Sequence, residues 1–165
     1  MKTFKRRRRE NKTDYGNRLK LLKSETPRIV FRKTNKYVIL QYVVSEEARD
    51  KVIIGVTSKN LLKYGWPKEF EGSLKSIPAA YLTGLLIGKK ILKEKLKTPI
   101  VDFGMIRPIH KTKIYGFLKG LIDSGIEIKH KAEIFPEEEK IKGKNLKKDF
   151  TETFTKIKSK IEQEK

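Results

Sequence analysis

Alternating hydrophobic and polar positions predict a β-hairpin early in the chain. In residues 28–32, Ile29 and Phe31 alternate with three other residues, and this period of two is typical of a strand with one face in a core. The Lys-Thr-Asn-Lys stretch that follows predicts the turn, with Asn35 in the left-handed conformation that short hairpins need. Residues 37–44 are mostly β-branched or aromatic, which favours a central strand covered on both faces.

The remaining hydrophobic pattern predicts further strands and helices in a fixed order. The predicted elements are a third strand at 51–57, a short helix at 58–64, the principal helix at 76–96, a fourth strand at 100–103, a second helix at 111–123 and an amphipathic C-terminal helix at 147–160. The apolar stripe of the principal helix consists of Leu82, Leu85, Leu86 and Leu92. This order indicates an α/β fold, in which helices pack against a mixed sheet.

The length and composition of the chain predict one domain with two extensions. A chain of 165 residues can form one hydrophobic core, and we expect a basic arm at 1–26, an α/β core domain at 27–132 and a C-terminal extension at 133–165. The absence of cysteine rules out disulfides and thiolate metal sites and fits a cytosolic protein. The N-terminus lacks the apolar stretch of a signal peptide, and the longest apolar run, 77–88, is shorter than the about 20 residues that span a bilayer.

The distribution of charge points to an anionic partner. The net charge is +20, and residues 1–36 contain 14 Lys or Arg against 3 Asp or Glu, a net of +11. Self-repulsion of this size opposes compaction and favours binding to a polyanion. Nucleic acid is the first candidate, an anionic membrane surface the second, and plain solubility the simplest alternative. The run Arg6–Arg9 should stay unstructured alone and fold on its partner.

Motifs that could indicate catalysis have simpler explanations. Asp102-Phe103-Gly104 matches the magnesium-binding triplet of protein kinases, but the other kinase motifs are absent. His110 and His130 have no second ligand at metal spacing. The carboxylates that could gather as a two-metal nuclease site are Asp14, Asp50, Asp102 and Asp123. Each also suits an ordinary cap, turn or surface role, so we expect no catalytic residue and no metal.

Two aromatic residues are candidates for stacking on bases. Tyr15 lies in the basic arm and Trp66 in a Gly- and Pro-containing loop, and no core pattern claims either ring. For the C-terminal Phe and Ile stripe, docking on the core and contact with another protein remain equal alternatives.

Five stretches of the sequence resemble one family. They are 12–24 (Lys-Thr-Asp-Tyr-Gly-Asn-Arg-Leu-Lys-Leu-Leu-Lys-Ser), 27–37 (Pro-Arg-Ile-Val-Phe-Arg-Lys-Thr-Asn-Lys-Tyr), 64–66 (Tyr-Gly-Trp), 72–75 (Gly-Ser-Leu-Lys) and 78–90 (Pro-Ala-Ala-Tyr-Leu-Thr-Gly-Leu-Leu-Ile-Gly-Lys-Lys). Together they resemble the large-subunit ribosomal protein L18 family (universal family eighteen), the binders of 5S ribosomal RNA. Residues 133–143 look like the extension of its archaeal branch, although the sequence departs from that pattern at Lys144 and Asn145.

The resemblance implies a fold, a location and a set of partners. The fold would be of the ribonuclease-H-like kind found in translation components, without nuclease activity or a cofactor. The protein would lie in the cytoplasm, in the central protuberance of the large ribosomal subunit. It would bind 5S and 23S ribosomal RNA beside ribosomal protein L5 and other proteins of that region, and neither a membrane nor a small-molecule substrate is implied.

The resemblance and the charge pattern select the same RNA-binding region, the arm and the first hairpin. The predicted RNA-binding residues are Lys5, Arg6, Arg7, Arg8, Arg9, Lys12, Tyr15, Arg18, Lys20, Lys23, Arg28, Arg32, Lys33, Thr34, Asn35 and Lys36. Arginine suits this role because its guanidinium binds phosphate with two hydrogen bonds and stacks on bases. The charge alone would also fit a chromatin protein that compacts DNA of any sequence, and a metal-dependent nuclease on the same fold is the second alternative.

Overall fold

A computed structural model describes residues 3–47, 49–145 and 150–163, and its four strands form one mixed sheet. The strands are β1 (Arg28–Lys33), β2 (Val38–Glu46), β3 (Arg49–Thr57) and β4 (Ile100–Asp102), in the order β3-β2-β1-β4. Neighbours β1/β2 and β2/β3 are antiparallel, and β1/β4 is parallel. The predicted mixed α/β fold is therefore confirmed, whereas its ribonuclease-H-like topology stays a prediction.

Helices occupy segments before, between and after the strands. The α-helices are α1 (Arg6–Arg9), α2 (Tyr15–Lys23), α3 (Ile77–Lys93), α4 (Lys113–Asp123), α5 (Glu138–Lys142) and α6 (Thr151–Gln163), and 3-10 segments span Ser58–Tyr64, Lys68–Ser73 and Ala132–Ile134. Helix α3 begins where Ser76 accepts a hydrogen bond from the Ala79 amide, as expected for an N-cap serine. No helix within the described ranges has both the length and the hydrophobicity to cross a membrane.

The core lies between one face of the sheet and helices α3 and α4. Ile29, Phe31 and Leu40 are fully buried on this face, and the Phe31 ring lies 5.3 Å from that of Phe117 on α4. The alternation that predicted β1 therefore identified the correct core residues. Leu92 was wrongly assigned to the buried stripe of α3, because its side chain is 44% exposed in the last turn.

Glycines allow α3 and α4 to pack closely. A Cβ added to Gly120 on α4 would collide with the backbone carbonyl of Tyr81 on α3, and one added to Gly84 would collide with the carbonyl of Phe117. Backbone rather than flexible side chains lies in the way, so the two helices would have to separate to accept a larger residue.

The C-terminal helix α6 docks on the core through its aromatic and aliphatic stripe. Phe150, Phe154 and Ile157 are at most 3% exposed, and the Phe150 ring lies 4.6 Å from that of Trp66. Trp66 is 2% exposed and donates a hydrogen bond from Nε1 to the Phe70 carbonyl. Trp66 was a candidate for stacking on a base, but its ring is buried in the core, where Phe150, just before α6, packs against it. The predicted helix start at 147–149 lies outside the described residues.

The first hairpin forms as predicted, but its turn and its outer face differ from the expectation. The Thr34 amide donates to the Tyr37 carbonyl, and the Thr34 hydroxyl both accepts from the Tyr37 amide and donates to its carbonyl. Asn35 does not adopt positive φ, because these hydrogen bonds between Thr34 and Tyr37 close the turn instead. Strand β2 is interior, yet Ile39 and Gln41 on its second face are only half-buried.

Replacing Gly120 with alanine should destabilise the fold by about 1–3 kcal/mol, because the new methyl group collides with α3. Helix propensity alone predicts the opposite sign, a gain of about 1 kcal/mol. The matched control is Gly16→Ala on α2, where the nearest atom to the new Cβ is 3.5 Å away. Urea unfolding measures both, and a Gly120→Ala variant as stable as the wild type would refute the close approach of the helices.

Candidate nucleic-acid interface

The arginine run of the arm forms a short helix, with carboxylates close to its charges. Arg6–Arg9 is α1, and Glu10 pairs with Arg6 at 3.4 Å and with Lys12 at 2.8 Å. Arg8 lies 3.5 Å from Asp14 and donates a hydrogen bond to the sulfur of Met105. We expected this run to be unstructured when alone. These ion pairs reduce the repulsion that motivated the expectation, and the hydrogen bond to Met105 ties the arm to the loop after β4.

The second arm helix, α2, is capped and held against the sheet. The Asp14 carboxylate accepts from the backbone amides of Gly16 and Asn17, which satisfies donors that every helix start leaves open. Arg18 reaches across to Asp50 at 2.9 Å. The basic arm therefore contains a second helix, of nine residues. Tyr15 remains 37% exposed, with the Lys5 ammonium 4.7 Å from its ring centroid.

Arg28 lies at the centre of a buried ion-pair network. Its side chain is 3% exposed, and its guanidinium donates to Asp50 at 2.7 Å, to Ser45 at 2.9 Å and to Asp102 at 3.4 Å. Asp50 also pairs with Arg18 of α2. We therefore withdraw Arg28 from the predicted RNA contacts, because its charged group is enclosed and its partners are protein carboxylates.

Arg32 shares the second carboxylate of this network. Its guanidinium lies 3.3 Å from Asp102 Oδ2 and donates to the carbonyls of Phe31 and Asp102. The other Asp102 oxygen accepts from the Gly104 amide at 2.7 Å. The Asp-Phe-Gly triplet thus supplies a structural anion. The Arg32 side chain is 41% exposed, so it can also reach a ligand at the surface.

The other predicted contact residues differ in how far they reach solvent. Those that are exposed are Lys5, Arg6, Arg7, Arg9, Lys12, Tyr15, Lys20, Lys23, Lys33, Asn35 and Lys36, and those that are half-buried are Arg8, Arg18, Arg32 and Thr34. Thr34 uses its hydroxyl within the turn, so it shapes the hairpin tip and has little hydrogen-bonding capacity left for a ligand.

One loop joins the arm to the hairpin. Met105 accepts the hydrogen bond from Arg8, and the adjacent Gly104 lies so close to Arg32 that an added Cβ would be 2.9 Å from the guanidinium carbon. Cations that are far apart in sequence, on α1 and on β1, are therefore neighbours in the structure.

Sequence reasoning missed a concave surface beside the hairpin turn. Asn35, Lys36 and Tyr37 form one wall, and Glu71, Gly72 and Lys75 form the other, around a cavity of about 460 Å³. Partial burial and the nearby charges of Lys33 and Lys75 lower the pKa of Lys113, at the start of α4. The sequence analysis had selected Asn35 and Lys36 as RNA contacts and the stretch 72–75 as a family resemblance, but it did not show that these two segments face each other.

Comparison with known proteins identifies the family. Residues 1–99 match the family described as ribosomal large subunit proteins 60S L5, and 50S L18. The large ribosomal subunit protein uL18 of Korarchaeum cryptofilum is 45% identical over 141 residues, which cover 86% of this chain and 70% of the relative. That of Methanothrix thermoacetophila is 39% identical over 146 residues (88% and 83%), and that of Methanococcoides burtonii 38% over 161 residues (94% and 91%). The chain belongs to this family of ribosomal large-subunit proteins.

Membership of the L18 family confirms the resemblance on which the sequence interpretation depended. The matched residues include the arm, the first hairpin and helix α3. The archaeal relatives also extend over most of the chain, which agrees with the archaeal character of residues 133–143. The individual RNA contacts of this L18-family chain stay predictions.

Replacing Asp50 with asparagine should lower the free energy of unfolding by about 1–3 kcal/mol, since it leaves a buried arginine short of one charged acceptor. Partial burial alone would raise the Asp50 pKa, but hydrogen bonds with Ser45 and Arg18 and the charge of Arg28 lower it overall. The stabilisation is therefore present above the unfolded-state pKa of about 3.9 and is lost as the pH falls through the folded-state pKa.

The difference in stability between the wild type and Asp50→Asn should accordingly be full at neutral pH and shrink in acid. Denaturant titrations at several pH values test this. Glu138→Gln, which breaks an exposed pair with Lys142, is the control and should leave unfolding almost unchanged. Equal stability of wild type and Asp50→Asn at neutral pH would contradict the role of the network.

Proposed function

We propose that this protein is a structural constituent of the large ribosomal subunit that binds 5S ribosomal RNA and helps attach it to 23S ribosomal RNA in the central protuberance. Family membership and relatives named large ribosomal subunit protein uL18 support the ribosomal role. The observation that carries the RNA contact is the joining of arm and hairpin, since the loop at 104–105 contacts both Arg8 and Arg32.

The proposed binding mechanism divides the contacts between phosphates and other RNA groups. Exposed cations of α1 and α2 neutralise phosphates, and their affinity for RNA therefore depends on salt. Lys33 and Lys36 hold the hairpin tip against the RNA backbone, while Asn35 donates and accepts hydrogen bonds at base edges or sugars. Binding and positioning alone account for this role, so no catalytic step is proposed.

The proposed RNA contacts also indicate where neighbouring ribosomal proteins would bind. Ribosomal protein L5 and other proteins of the central protuberance would contact surfaces that RNA leaves uncovered. The hairpin between β2 and β3 is a candidate, because its exposed Glu46 and Glu47 would repel RNA phosphates.

A competition experiment separates this function from DNA compaction, which the net charge of +20 also favours. Labelled 5S ribosomal RNA is bound to the protein at physiological salt and displaced with unlabelled 5S RNA or with duplex DNA of equal phosphate content. The proposal predicts that much less unlabelled RNA than DNA is needed for displacement. Contacts with the folded shape of the RNA add to the affinity that phosphate contacts alone provide. Equal displacement would reject it, and RNA cleavage during incubation with magnesium would favour a nuclease instead.

Removing the charge of the arm should weaken RNA binding and its salt dependence without unfolding the protein. The test changes all four arginines of α1, as Arg6→Gln, Arg7→Gln, Arg8→Gln and Arg9→Gln. If most of them neutralise phosphates, the slope of log K against log salt should fall by roughly 2–4. Filter binding at several salt concentrations measures this slope, and circular dichroism reports the fold.

The matched control removes the same charge elsewhere. Its substitutions to glutamine fall on four exposed lysines outside the arm and hairpin, which are Lys129, Lys131, Lys156 and Lys160. This variant should keep most of the wild-type slope. Equal losses in the two variants would show that net charge, and not the position of the arm, determines binding.

A further inference from the structure

The concave surface between the hairpin turn and the 3-10 segment Lys68–Ser73 brings together positive charges from different parts of the chain. Lys36 and Lys75 line it, and Lys33 and Lys113 lie close enough to interact electrostatically. In the described part of the chain, none of the four lysines makes an ion pair. Lys75 and Lys113 are half-buried, so the fold holds their charges near one another although neither is in an ion pair with a described carboxylate.

No packing or backbone requirement of the described fold explains the glycine at position 72, which lines this surface. Its φ is not positive, and an added Cβ would meet no atom within 4 Å. Glycine weakens regular structure relative to alanine, and Gly120 shows the opposite situation, where the backbone of α3 leaves no room. The space beside the Gly72 backbone is open to solvent. A group from another molecule can therefore occupy it.

The polar groups of the surface match the two parts of a ribonucleotide backbone. Ammonium groups of Lys36 and Lys75 attract phosphate. The Glu71 side chain is exposed and has no hydrogen-bond or ion-pair partner among the described residues. A carboxylate repels phosphate but accepts a hydrogen bond from a ribose 2′-hydroxyl, the group that distinguishes RNA from DNA.

We propose that this surface binds a ribose–phosphate segment of RNA, with lysines on the phosphate, Glu71 on a 2′-hydroxyl and the backbone of Gly72 against the sugar. The proposal rests on the RNA-binding function proposed above and extends that interface beyond residues 1–36. It also gives the protein a direct means of preferring RNA over DNA at a position where no base is read.

The first test fills the space above Gly72 without changing charge. Gly72→Leu should weaken binding to 5S ribosomal RNA by about tenfold or more, the equivalent of roughly 1.4 kcal/mol, while the unfolding transition stays where it is. The control is Gly55→Leu on β3, also an exposed glycine without positive φ and with no atom closer than 4.0 Å. It should bind like the wild type. Equal affinities of the two variants would overturn the proposal.

The second test uses a substitution for which electrostatics alone and the proposed 2′-hydroxyl contact predict opposite changes in the affinity for RNA. Glu71→Ala removes a negative charge, so electrostatics alone predicts tighter binding to RNA. The proposed 2′-hydroxyl contact predicts weaker binding to RNA and unchanged or tighter binding to DNA of the same sequence. Glu47→Ala, which removes an exposed carboxylate at another turn, should not weaken RNA binding. Tighter RNA binding by Glu71→Ala would exclude the contact.

These results separate the further inference from the function on which it rests. The α1 variant could lose RNA binding while Gly72→Leu and Glu71→Ala keep the wild-type affinity. That result would retain the ribosomal RNA-binding function and reject only the binding of RNA by the concave surface. Failure of the wild type to prefer 5S RNA over DNA would reject the function itself.

Discussion

The ion-pair network around Arg28 is the constraint on which the arrangement of the interface depends. Its guanidinium is buried between Asp50 of β3 and Asp102 of β4, so it ties together the two edges of the sheet. Each carboxylate also holds an arginine nearer the surface, Arg18 on α2 and Arg32 on β1. Burying such charges has a desolvation cost that their attraction only partly offsets. We therefore regard the network mainly as a device that fixes where the exposed cations lie.

A protein with a net charge of +20 must hold like charges close together before its ligand arrives. The arm does this with a few carboxylates of its own, since Glu10 and Asp14 lie beside Arg6 and Arg8. Pairs this exposed are weak and easily exchanged. The same arginines can thus be shielded in the free protein and turn to phosphates on binding, which keeps the cost of preorganising the arm low.

Local periodicity predicted most of the fold because the core is built from regular elements. Ile29, Phe31 and the middle of α3 are buried as their spacing indicated. The errors occur where a partner lies far away in sequence. Trp66 was interpreted as a stacking residue because nothing near it suggested a core, and it is Phe150 of the C-terminal region that buries it. Leu92 follows the helical spacing but lies beyond the region that α4 and the sheet cover.

The interface was predictable in its charge and not in its geometry. The arginine run and the basic hairpin are visible in the sequence, whereas the burial of Arg28 depends on carboxylates 22 and 74 positions away. The concave surface around Gly72 was equally hidden, because its lysines come from β1, the hairpin turn and the starts of α3 and α4. Family resemblance suggested the RNA partner, and the structure shows that one loop contacts both the arm and the hairpin, as the proposed joint binding requires.

Directed hydroxyl-radical probing of 5S ribosomal RNA tests the central claim most directly, namely that arm and hairpin contact one RNA surface. The chain has no cysteine, so an iron chelate can be attached at single sites through Asn11→Cys in the arm, Asn35→Cys in the hairpin and Ser159→Cys on α6. The account predicts cleavage of neighbouring nucleotides from the first two sites and none of those nucleotides from the third. Cleavage patterns from arm and hairpin that share no region of the RNA would contradict it.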